Sequence, residues 1–219
     1  MTEDPTLIVR LPLVLLSCLS LACQPAQVRN ASLSTPPPDV TPGQAILFLL
    51  GDGGEDTPAR RDVLAHLAQN IRSVASEAGR PVTVVFLGDN IYDDGVRAEF
   101  VEEDVEKLRG QIEALGHFPN VRGVFVPGNH DWANGRSARE GHAAILRQRD
   151  GIERLAGERN VELLPDDGCP GPVSEPLGDM AHLVFFDSEW LLREPESQCG
   201  TPEDFYRRMA QELEANRHR

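Results

Sequence analysis

Three short apolar runs in this chain each stop at a glycine followed by ligand-type side chains. Residues 45–50 run into Gly51-Asp52-Gly53-Gly54, residues 82–87 into Gly88-Asp89-Asn90-Ile91-Tyr92, and residues 123–126 into Gly128-Asn129-His130-Asp131-Trp132. A fourth run, 182–186, ends at Asp187-Ser188. Continuous rather than alternating hydrophobicity over so short a length is the pattern of a strand buried on both faces. Between the runs lie helical patterns. Thr57-Pro58 supplies an N-cap and a first helical position, followed by Val63, Leu64, Leu67, Ile71 and Val74 at helical spacing. Residues 97–115 and 141–156 repeat such a stripe, and Thr201-Pro202-Glu203-Asp204 opens a further helix. Strand and helix in alternation predict a mainly parallel, layered α/β sheet with flanking helices. In a sheet of that kind, ligands gather at the C-terminal tips of the strands.

The charge balance narrows the partners. Twenty-one basic residues against 35 acidic ones leave a net charge of −14, the wrong sign for a nucleic-acid surface. Lys107 is the single lysine among them. The start of the chain carries a different message. The apolar stretch from Leu11 to Cys23 follows Arg10, is too short to span a bilayer, and reads as the core of a secretory signal. Its end, Ser20-Leu21-Ala22-Cys23, resembles a bacterial lipobox, which would make Cys23 the lipidated first residue; an ordinary cleaved signal is the alternative. Residues 24–44, rich in Gln, Ser, Thr and Pro, read as a disordered tether. The expected organisation is a signal peptide of lipoprotein type over 1–23, the tether over 24–44, and one folded domain over 45–219. Such a protein would be exported and held at a bacterial membrane by its lipid, facing the periplasm or exterior. In an oxidising compartment the remaining cysteines, Cys169 and Cys199, form a candidate disulfide, with two free thiols as the alternative.

Asp52, Asp89 and Asn129 offer the oxygen donors that hard cations prefer. Two neighbouring cations can acidify a water and clamp a phosphate ester, which suits these residue types to phosphoryl chemistry. No Gly-Lys-Ser/Thr follows Gly53-Gly54, which argues against a nucleotide P-loop.

The ordered set Asp-x-Gly, Gly-Asp-Asn, Gly-Asn-His-Asp resembles the calcineurin-like metallophosphoesterase superfamily over roughly residues 45–219, and Gly88-Asp89-Asn90-Ile91-Tyr92 is similar to its purple acid phosphatase branch. The resemblance implies a four-layer α/β/β/α sandwich and hydrolysis of a small phosphate ester by a bridging hydroxide at a binuclear metal centre. By the same resemblance, Asp52 binds the first metal, Asp89 bridges both, Asn129 binds the second, and Tyr92 supplies a phenolate to iron. The other position would take iron, zinc or manganese. His130 would protonate the leaving oxygen, and Asp131 would orient its imidazole. The family completes its site with three further histidines, of which this sequence offers no counterpart after Phe205 except His218 in a charged tail. The expectation is therefore a domain lacking its C-terminal part. A non-catalytic surface lipoprotein that uses the scaffold for binding stands as the alternative.

Overall fold

The structure is a computed structural model and describes residues 45–75, 80–179, 181–193 and 199–217. The expected signal segment with Cys23, the tether over 24–44 and His218 lie outside the described residues. Along the chain come β1 (Ile46–Leu50), α1 (Pro58–Ala75), β2 (Val82–Phe86), α2 (Val101–Ala114), β3 (Val121–Phe125), α3 (Ala138–Ala156) and β4 (Asn160–Leu163). These are followed by β5 (Val173–Leu177), β6 (Ala181–Phe185), a 3-10 turn at Trp190–Leu192 and α4 (Pro202–Ala215).

The first four strands make one parallel sheet in the order β1-β2-β3-β4. The layered α/β class expected from the sequence is the one observed, but its fourth strand is a different one. Residues 182–186 do not join the parallel sheet. They form β6, which pairs antiparallel with β5 in a separate two-stranded sheet. The parallel position falls to Asn160–Leu163, only four residues long and half polar, so it carries no continuous apolar run. As an edge strand it needs little hydrophobicity on its outer side, and Glu162 instead pairs with Arg122 of β3 at 2.6 Å.

Alternate residues of the parallel sheet serve two cores. Phe48 and Leu50, Val82, Val84 and Phe86, Phe125, and Val161 and Leu163 pack with the apolar stripes of α1, α2 and α3. Phe86 and Phe125 stack with ring centres 4.3 Å apart. On the opposite face Val85, Val124 and Leu164 pack against Phe185, Val173 and Leu183 of the β5–β6 hairpin. The small hairpin leaves Leu49 and Leu87 of this face exposed.

Helix ends follow local chemistry. Ser137 and Glu140 form a reciprocal capping box at α3, and Thr201 and Asp204 form one at α4. The helix expected over 97–115 starts instead at Val101, because the Asp104 carboxylate captures the Arg97 amide at 2.8 Å and holds residues 97–100 as a loop. Cys169 and Cys199 are joined in a disulfide across 30 residues, tying the loop before β5 to the start of α4.

Candidate metal centre

Parallel pairing continues past the strand ends and carries the first two loops toward each other. Leu87 N donates to Leu50 O at 2.7 Å, Asp52 N to Gly88 O at 3.2 Å, and Gly54 N to Asp89 O at 2.9 Å. Glycine is required where the loops touch. A Cβ on Gly54 would collide with the Asn90 backbone, and one on Gly128 with the Asp89 amide and carboxylate. Asp52 and Asp89 both adopt the left-handed region, with φ of 55° and 53°. Two non-glycine residues at neighbouring strand tips in that conformation store strain of the kind that clusters at functional sites.

Their side chains converge. The Tyr92 hydroxyl donates to Asp52 Oδ1 at 2.8 Å and lies 3.1 Å from Asp89 Oδ2. Three oxygen donors from two loops thus meet at one solvent-facing point. The Tyr92 phenol is pushed well above the ordinary tyrosine range, by burial first and then by its hydrogen bond to Asp52 and the charge of Asp89. In the absence of a cation it is therefore a protonated donor to the carboxylates. A bound cation reverses that logic by favouring ionised oxygen ligands. This donor set, two carboxylates and a phenol oxygen within reach of one another, fits a hard metal ion. The third loop also arrives at Asp89. His130 N donates to Asp89 Oδ1 at 3.1 Å, which sets Asn129, an exposed residue, between that bond and the close contact at Gly128.

One expected role is corrected. Asp131 does not orient the His130 imidazole. Fully buried, its carboxylate accepts from the backbone amides of Asn90, Ile91 and Gly128 and from the Asn90 side chain, at 2.8–3.1 Å. It fastens the second loop to the third. Burial pushes its pKa up to about 7, against the amides of Gly128 and Asn90 that pull it down and with the charge of Asp89 adding to the rise. The imidazole is held instead by the Asp93 carbonyl, 2.6 Å from His130 Nδ1, and by the Tyr92 ring, whose centre lies 4.1 Å away. Nothing in the sequence marks that carbonyl, because any residue at position 93 would provide one.

Other histidines lie elsewhere. His66 bonds the Asp62 carbonyl, His117 sits against Arg159, and His182 is in β6. His142 approaches Cys169 and Cys199, with donor atoms within 4.8 Å, but those sulfurs are bonded to each other and offer no thiolate. Asp187, which follows β6, is buried and accepts from the Trp132 indole at 2.5 Å and from the amides of Glu189 and Trp190, so it braces the third loop from behind.

A family model described as calcineurin-like phosphoesterase matches residues 47–188. No curated protein matches the chain, and no solved structure does. The matched span takes in β1 through β6 and all three loops that meet around Asp89. On that match, this chain belongs to the calcineurin-like phosphoesterase family, metal-dependent hydrolases of phosphate esters that generally work with two metal ions.

Proposed function

We propose that this chain hydrolyses small phosphate esters at a binuclear metal centre of the purple acid phosphatase type. The observation that supports it most directly is the Tyr92 hydroxyl, bonded to Asp52 and within 3.1 Å of Asp89. In this reading Asp52 and Tyr92 hold one cation, Asn129 holds the other, and Asp89 is shared between them. Iron suits the phenolate position, and iron, zinc or manganese the second. Bound there, a cation pair supplies the attacking hydroxide and neutralises charge on the phosphoryl oxygens.

The chain's own part is positioning and proton transfer. With Nδ1–H donating to the Asp93 carbonyl, His130 would act as the imidazolium, giving its Nε2 proton to the departing alkoxide as the phosphorus–oxygen bond breaks and becoming the neutral ring. The products are the alcohol and a phosphate that has gained the attacking oxygen. Metal analysis of the purified chain together with aryl-phosphate hydrolysis tests the proposal. Two equivalents of metal with turnover are expected, and metal-loaded protein without turnover defeats it.

A second reading is a non-catalytic surface lipoprotein that binds one cation. It is favoured by the ligand count, since among the described residues His130 is the one imidazole at the site. A single equivalent of metal and no hydrolysis would support it. In either reading residues 1–23 direct export, with Cys23 lipidated and residues 24–44 as the tether. Radiolabelled palmitate should enter the wild-type chain and not the Cys23→Ser variant.

A further inference from the structure

Helix α2 presents three polar side chains, Asp104, Lys107 and Gln111, at the i, i+3, i+7 spacing that places them on one helical face. Asp104 and Gln111 are fully buried. Each of the three is bonded to the loop between β2 and α2. Gln111 Nε2 donates to the Asn90 carbonyl at 2.9 Å, and Lys107 Nζ donates to the Tyr92 carbonyl at 2.8 Å. Asp104 accepts from the Arg97 amide and guanidinium at 2.7–2.9 Å, and from Lys107 at 3.3 Å. The same turn of α2 reaches the first loop through Arg60, which donates to the Lys107 carbonyl at 2.9 Å and to the Gly53 carbonyl at 2.5 Å. Carbonyls beside Asp52 and at Tyr92 are therefore anchored to one point on one helix.

We infer that Lys107 is a positioning residue for Tyr92: its ammonium, steadied by Asp104, sets the depth at which the phenol meets Asp52 and Asp89. This rests on the metal-centre reading above. The carbonyl that Lys107 holds belongs to the residue whose hydroxyl joins the two carboxylates. Without Nζ, Tyr92 keeps its neighbours in sequence but loses a cationic hold on its backbone, and the three oxygens lose their common point. Groups standing directly behind metal ligands commonly change metal affinity about 10–100-fold when removed.

The test uses the full chain with Lys107→Met, which keeps the apolar stem and helix propensity, and Lys107→Arg, which restores a cationic donor. Amide hydrogen exchange on metal-free protein reads the loop, and titration calorimetry with Mn²⁺ reads the site. Lys107→Met should speed exchange at residues 93–97 without speeding it along α2, and should weaken Mn²⁺ binding about 10–100-fold. Lys107→Arg should recover most of both. Unchanged Mn²⁺ affinity in Lys107→Met overturns the inference, as does faster exchange spread equally through α2. If the wild-type chain takes up none of Mn²⁺, Zn²⁺ or Fe²⁺ while the loop alone loosens, it is the binuclear metal-centre reading that falls. The exchange result decides the positioning role separately.

Discussion

His130 has one ring nitrogen committed, since Nδ1 lies 2.6 Å from the Asp93 carbonyl, and that commitment gives its role a specific signature. If Nε2 protonates the leaving oxygen, His130→Ala should lower kcat by about 10²–10⁴-fold. The loss should be greatest for alkyl phosphates, whose alkoxides need the proton, and smallest for nitrophenyl phosphate, whose phenolate leaves without it. Equal losses on both substrates would assign His130 to binding. Gly54 is tested by a single methyl group. Its absent Cβ lets the first loop lie against the Asn90 backbone, and Gly54→Ala should cost about 1–3 kcal/mol in urea unfolding, as overpacked sites do. At this scale the sequence revealed those residues whose own type carries the chemistry. Asp52 and Asp89 stood out as carboxylates at strand tips and Tyr92 through the resemblance to the purple acid phosphatase motif, and the fold brings their oxygens together. Asp93, which acts through its carbonyl, and Asp131, which acts on amides far along the chain, depend on the fold for their partners.

Strands were legible where their residues are almost continuously apolar, whether or not they end up buried, as β1 and β6 show. β2 is buried at every residue and was recognisable as an apolar run, whereas β4 alternates exposed and buried positions and was not. β5 contains Pro176 and Glu175, which suit an edge strand but not a hydrophobic pattern search. The polar face of α2 was hidden for a related reason. Asp104, Lys107 and Gln111 interleave with Val105, Leu108 and Ile112, and sequence spacing alone cannot tell a buried polar grip from a solvated face. The disulfide fastens two elements outside the parallel sheet. For a separation of 30 residues, the Cys169→Ser/Cys199→Ser double variant should lose about 3–4 kcal/mol by chain-entropy arguments. Paired denaturation curves would measure it. A negligible loss would mean that α4 and the loop before β5 hold together without it.

The molecule as a whole should respond to pH through its buried carboxyls. Burial raises Asp187 from 3.8 to about 6, against the Trp132 indole and the amides of Trp190 and Glu189 that pull it down. A raised carboxyl takes up protons more readily when folded, so its stabilising contribution is complete below the unfolded value and lost as pH climbs through the folded one. The difference amounts to about 3 kcal/mol between roughly pH 4 and pH 7. Asparagine at 187 has nothing to titrate. The stability gap between wild type and Asp187→Asn should therefore shift by about that amount in favour of the variant as pH rises over this window, and a gap that stays constant refutes the assignment. Asp52 and Asp89 have a different bearing on the molecule. Their left-handed backbone is one that asparagine accepts at least as well, and at position 52 an amide oxygen can still receive the Tyr92 hydroxyl, whereas the two oxygens of Asp89 serve Tyr92 and the His130 amide separately. A chain altered by nothing more than an amide at position 52 would melt no earlier than the parent and, on the proposed mechanism, still be chemically silent. Thermal robustness in a relative of this protein is thus no guide to whether it still turns over.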